Sequence, residues 1–91
     1  MTDLEYKRYY IEKNYPENPK VMWCAYNEES DYGRNLTRGD NGRAYGHWQI
    51  HLAIHNISYE CAMNFECSTD WTINMWRKGE AHLWTGYNNC L

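Results

Sequence analysis

At 91 residues the chain allows one domain with a small core, near the size at which cross-links usually help, and leaves no room for a second domain. A net charge of −3, with neither a basic stripe nor a cluster of lysines, disfavours nucleic acid as a partner. No apolar run approaches the roughly 20 residues needed to cross a bilayer. Five Trp and nine Tyr against a single Phe supply amphipathic rings, whose faces stack and whose edges hydrogen-bond. Carbohydrate suits such rings, although most of them in so small a domain are expected to build its core. Cys24, Cys61, Cys67 and Cys90 contain no C-x-x-C pair and no nearby histidine array, so they read as disulfides of an exported protein rather than a zinc site. Three pairings are open. The opening MTDLEYKRYY has no apolar signal core, so an extracytoplasmic location implies a mature fragment, an excised domain or release by another route such as lysis.

Thr2 and Asp3 offer N-caps, and Leu4, Tyr6, Tyr10 and Ile11 follow helical spacing, which predicts a helix over Asp3 to Asn14. Pro16 ends it, because proline lacks the amide a helix interior needs and pushes Tyr15 towards extended geometry. Asn18 followed by Pro19 is a start signal for a second helix, which runs to about Ser30 with Val21, Met22, Ala25 and Tyr26 facing inward. Gly39-Asp40-Asn41-Gly42 is a strong turn signal, and the stretch from Gly33 to Gly42 is expected to form a short hairpin or irregular lobe. A short helix is expected between Leu52 and Met63, starting near His51. Another is expected over Asp70 to Lys78, capped by Ser68 or Thr69 and closed by Lys78-Gly79. In the tail, Gly86 permits close approach or an unusual backbone angle, and Cys90 pins the end.

The stretch from Asn27 to Ile50 carries the chemistry. Glu28 and Glu29 stand at the last turn of the second helix, and across a turn-rich excursion lies the cluster Tyr45-Gly46-His47-Trp48-Gln49-Ile50. Carboxylates at a helix end facing stacking and hydrogen-bonding side chains suit the gripping and protonation of a sugar. The negative end of a helix and partial burial under rings both raise a carboxyl pKa, as a general acid near neutral pH requires. Consecutive helical residues point about 100° apart, so one of the two is expected to face the cleft, and periodicity does not decide which. His47, His51 and His55 recur at four-residue intervals, but without H-E-x-x-H they read as structural or surface histidines, and no metal or other cofactor is expected.

Glu29-Ser30 followed by Tyr32, then Ala44-Tyr45-Gly46-His47-Trp48-Gln49-Ile50, and Gly86-Tyr87-Asn88 near the end, resemble in order and spacing the motifs of the lysozyme-like soluble lytic transglycosylases. Gly33-Arg34 stands where many members carry N-P, and His47 replaces their usual apolar residue. The resemblance implies a mainly α, lysozyme-like fold with a small β-turn lobe, a single domain over residues 1–91. It selects Glu29 as the acid, because the acid directly precedes Ser. It further implies pairing of Cys24 with Cys90, leaving Cys61 with Cys67. By the same resemblance Ser30 orients by hydrogen bonds, and Tyr45 and Gln49 contact the sugar. His47 or Trp48 then forms walls, and Tyr87 and Asn88 approach from the far side. The implied substrate is peptidoglycan, or chito-oligosaccharide analogues of it, acted on by a monomer. In animal-type lysozymes, which the Y-G-x-x-Q-I stretch also resembles, an Asp precedes the Tyr; here Ala44 does. That favours a one-acid transglycosylase mechanism ending in a 1,6-anhydro sugar. Asp31 and Asp40 remain as partners for a water in a hydrolase of the goose-lysozyme kind, and a non-catalytic cell-wall-binding domain is the rival from another class.

Overall fold

The first helix, α1 (Asp3–Asn14), begins at a reciprocal cap: the Thr2 hydroxyl accepts from the Glu5 amide at 3.1 Å, and the Glu5 carboxylate accepts from the Thr2 amide at 2.9 Å. In the computed structural model, which describes residues 1–91, α2 (Pro19–Ser30) follows, with the Asn18 side chain accepting from the Val21 amide and Pro19 at the first helical position. Both helices have the bounds the sequence predicts. Three successive left-handed residues, Asp31, Tyr32 and Gly33, then turn the chain away. Gly33 is required there, because a Cβ would overlap the Tyr26 hydroxyl and come within 2.7 Å of His47 Nδ1. Lys7, almost buried, ties α1 to this turn by donating to the Tyr32 carbonyl at 2.9 Å while pairing with Asp3 at 2.8 Å.

The lobe lies one step further along the chain than expected. Its two strands are β1 (Ala44–Tyr45) and β2 (Ile50–His51), antiparallel with Ala44 opposite His51 and Tyr45 opposite Ile50, and Gly39 extends the pairing through a bridge to Ala44. His51 is therefore a strand residue, and no helix starts there; residues 52–56 form turns and bends, and an extended Ser58 caps the short α3 (Tyr59–Ala62). The next helix, α4 (Phe65–Arg77), starts five residues earlier than predicted. Asn64 is its cap, accepting from the Cys67 amide at 2.8 Å, while Ser68 and Thr69 lie fully buried inside it. The Ser68 hydroxyl donates to the Asn64 carbonyl at 2.6 Å and the Thr69 hydroxyl serves Trp48, so both polar groups that read as caps are spent within the core. A 3-10 turn (Ala81–Leu83) and α5 (Thr85–Asn89) complete a mainly helical chain with one two-stranded sheet.

One core joins these elements. Trp48 sits at its centre with no exposed surface, stacked on Tyr26 at 4.9 Å between ring centres. Its indole N–H donates to Thr69 Oγ1 at 2.9 Å, and its carbonyl accepts from the Trp84 indole at 2.8 Å. Disulfides join Cys24 to Cys90 and Cys61 to Cys67, as the resemblance implies, and they suit an oxidising compartment. No helix is long and apolar enough to cross a membrane.

The disulfides span 66 and 6 residues of sequence. On a chain-entropy basis the long link contributes roughly 4 kcal/mol and the short one about 2 kcal/mol. Urea unfolding under non-reducing conditions should therefore place the Cys24→Ser, Cys90→Ser double variant well below the Cys61→Ser, Cys67→Ser double variant. Equal losses would show that native contacts, not closure of the long loop, set the contribution.

Candidate active site

The end of α2, the β lobe, the turn after β2 and the segment leading into α5 enclose a cleft of about 620 Å³. Glu28 and Glu29 enter it from α2; Asp40, Ala44, Gln49, Ile50 and His51 from the lobe; Ile54 and His55 from the turn; Leu83, Trp84 and Thr85 from the last segment. A cleft of this size, half apolar and carrying several convergent polar groups, has the build of a small-molecule site.

Glu29 is its most constrained charge. The carboxylate is half-buried, and Oε2 accepts from the Gly86 amide at 2.8 Å. Gly86 lets the amide come this close: a Cβ there would lie 2.7 Å from that oxygen, displacing the carboxylate, and 3.0 Å from the Ala25 carbonyl. Burial pushes the Glu29 pKa above its ordinary value of 4.5, the charge of Glu28 pushes the same way, and the Gly86 N–H opposes both. Desolvation wins. The helix end places the residue, while loss of water makes it a weak acid.

Glu28 also lines the cleft, contrary to the expectation that a single carboxylate would face it. The cleft mouth wraps around the end of α2, so side chains about 100° apart both reach it, one inside and one at the rim. Glu28 is exposed and accepts from Asn89 Nδ2 at 3.2 Å.

Gln49 lines the cleft too, but its amide is engaged by the lobe. Its carbonyl oxygen accepts from the Gly39 amide at 2.9 Å, and its NH₂ donates to the Gly46 carbonyl at 2.9 Å and the Thr37 carbonyl at 3.3 Å. It fixes the turn that carries Asp40 rather than offering a free amide. The other residues expected at the sugar lie elsewhere. Ser30 is buried, accepting from the Gly33 amide at 2.9 Å, which closes the turn after α2. His47 and Trp48 belong to the core: His47 Nδ1 meets the Tyr26 hydroxyl at 2.8 Å, and burial, followed by the charge of Lys7, lowers the imidazole pKa.

Tyr45 follows Ala44 along β1 and so points to the opposite face, against Tyr59 at 6.0 Å and under the Arg38 guanidinium at 4.7 Å. Tyr87 packs edge-on against Trp76 at 5.1 Å, and Asn88 donates to the His82 carbonyl at 2.9 Å. Asp31, one of the two candidates for a second carboxylate, is exposed and paired with Arg34 at 2.9 Å away from the cleft.

What sequence reasoning missed is the pairing of Asp40 with His51, whose Nε2 lies 3.0 Å from Asp40 Oδ2. The strand register creates it: Ala44 opposes His51 and also bridges Gly39, which brings the residue after Gly39 to the imidazole. The three evenly spaced histidines do not share an edge, since His47 is in the core and His55 packs on Trp71 at 5.2 Å. No family model, curated protein or solved structure matches the chain.

Because folded Glu29 holds its proton more tightly than the unfolded chain does, the folded state binds more protons between pH 4.5 and its raised pKa. Stability from this group is complete below that window and is lost as pH rises through it. Urea midpoints measured across this range should fall more for the native chain than for Glu29→Gln. Parallel pH curves for the two proteins would mean that Glu29 titrates normally.

Proposed function

We propose that the chain is a peptidoglycan lytic transglycosylase cleaving the β-1,4 bond between N-acetylmuramoyl and N-acetylglucosaminyl units. The observation that carries this reading is the half-buried Glu29, held by Gly86 at the floor of a cleft, with its pKa raised by desolvation. The glycan class rests on the motif resemblance around Glu29-Ser30, Tyr45 to Ile50 and Gly86-Tyr87-Asn88.

Protonated Glu29 gives its proton to the glycosidic oxygen, the C1–O bond breaks, and its electron pair leaves with that oxygen. The substrate's N-acetyl oxygen assists the developing cation. The muramoyl 6-hydroxyl then attacks C1 while its proton passes to the Glu29 carboxylate, closing a 1,6-anhydro ring and restoring the acid. Water is not consumed. Ala44, the residue before Tyr45, faces this cleft with a methyl group, so a second carboxylate is lacking at that position.

Hydrolysis is the second reading, supported by Asp40 in the same cleft as Glu29. Its product carries a reducing end in place of the anhydro ring. On either reading, replacing a general acid lowers turnover by roughly 10²–10⁴-fold. Glu29→Gln should therefore lose release of soluble fragments from purified sacculi by about that factor while still binding them in a pull-down. Fragment analysis of the native protein should show anhydro ends. Undiminished release by the variant would remove Glu29 from the chemistry. Binding without turnover by the native protein would mark the chain as a cell-wall-binding domain.

A further inference from the structure

His47 is a buried titratable group that the chemistry of the cleft does not use. Its ring sits in the connection between β1 and β2, 7% exposed, and Nδ1 meets the Tyr26 hydroxyl of α2 at 2.8 Å. That hydroxyl has no other hydrogen-bond partner, and burial raises its pKa, so it keeps its proton. Only the imidazole tautomer with a bare Nδ1 lets the Tyr26 O–H donate. Protonation of the ring places a hydrogen on Nδ1 and reverses the bond, which leaves the Tyr26 proton buried without an acceptor.

Charge acts in the same direction. Lys7 Nζ, the Tyr26 hydroxyl and His47 Nδ1 all stand within 2.9 Å of the point a Gly33 Cβ would occupy. An imidazolium there faces the Lys7 ammonium of α1 across space that glycine leaves open. The opposing charges are Asp3 on α1 and Glu66 on α4. Asp3 is mostly exposed and already paired with Lys7, and Glu66 accepts from the Tyr6 hydroxyl at 2.8 Å. The Met63 backbone, which favours a proton on the ring, and the edge-on Phe65 ring complete the surroundings. Burial, followed by Lys7, outweighs these, and the imidazole pKa is lowered.

The segment that His47 anchors carries no covalent tie, since neither disulfide touches residues 31–51. It opens with the left-handed turn of Asp31, Tyr32 and Gly33, where the Lys7 ammonium donates to the Tyr32 carbonyl at 2.9 Å. A second cation beside Lys7 therefore disturbs the turn and the lobe together. Trp48 holds the same connection to α4 through a bond that does not titrate, so the change is in the population of an open form and not loss of the fold.

We propose that His47 is an acid-operated latch: protonation of its imidazole loosens the turn after α2 and the β lobe from α2 while the rest of the core stays closed. The lobe supplies Asp40, Ala44, Gln49, Ile50 and His51 to the cleft wall, so the latch ties assembly of the cleft to pH whatever the cleft binds. The released imidazole titrates near 6.5 and the latched one lower. Stability from the latch is complete above 6.5 and is lost as pH falls through the window down to the latched pKa.

The test is amide hydrogen exchange followed by NMR between about pH 7 and about pH 4, corrected for the intrinsic pH dependence of exchange, with the His47 ring titrated in the same samples. In the native chain, opening of residues 31–51 should grow by up to about tenfold per pH unit between 6.5 and the latched pKa, while α4 amides stay slow. His47→Asn can still accept from the Tyr26 hydroxyl but does not titrate, so it should abolish that slope. Lys7→Met should move the His47 midpoint up towards 6.5, whatever it does to the turn. Equal slopes in the native chain and His47→Asn overturn the proposal. So does a His47 midpoint at or above 6.5 in the native chain, a result that needs no variant to fold. Opening of α4 in step with the lobe on acidification would show global unfolding in place of a latch, and the proposal falls.

Discussion

The arrangement depends on α5 lying across the end of α2. The two make the most extensive helix contact in the fold, and Cys24–Cys90 locks it covalently. Without α5, Glu29 would be a solvated carboxylate at a helix end. With it, the side chain loses water and gains one backbone donor, which does not repay what burial costs. Gly86 makes the approach possible, since a Cβ there would displace the Glu29 carboxylate and crowd the Ala25 carbonyl of α2. The tail is thus part of the site although none of its tyrosines or asparagines faces the cleft.

Trp48 does for the lobe what the disulfide does for the tail. Its ring is buried against Tyr26, its N–H is satisfied by Thr69, and its carbonyl is satisfied by Trp84, so one residue of the β1–β2 connection fixes α2, α4 and the cleft wall together. Gln49, at φ 49°, adds the local stitch that holds Gly39 and the turn beyond it. The lobe is small, yet its turn is tied on both sides: Gly39 to the Gln49 side chain and the Asp40 carbonyl to Arg43.

The parts legible in sequence are those that local chemistry decides. Thr2 or Asp3, and Asn18 with Pro19, announce two helices because caps act within a turn of the residues they serve. Asn64 was equally able to cap, but Ser68 and Thr69 compete for the same reading, and only the buried core shows that their hydroxyls are needed inside. The aromatic segment was legible as important and not as to role, since a Trp or His beside glycine suits a sugar wall and a core equally well. Burial decides that, and burial is a property of the assembled fold. Asp40 meets His51 across a strand register that no pattern of single residues encodes.

Packing of α5 on α2 takes water from Glu29 and raises its pKa. This is tested most directly by following the Glu29 side-chain carboxyl carbon by NMR during a pH titration of the native, disulfide-bonded protein. The account predicts a midpoint clearly above 4.5, the ordinary glutamate value. It also predicts that the midpoint falls towards that value when Cys24 and Cys90 are both replaced by Ser. A midpoint at or below 4.5 in the native protein would contradict it.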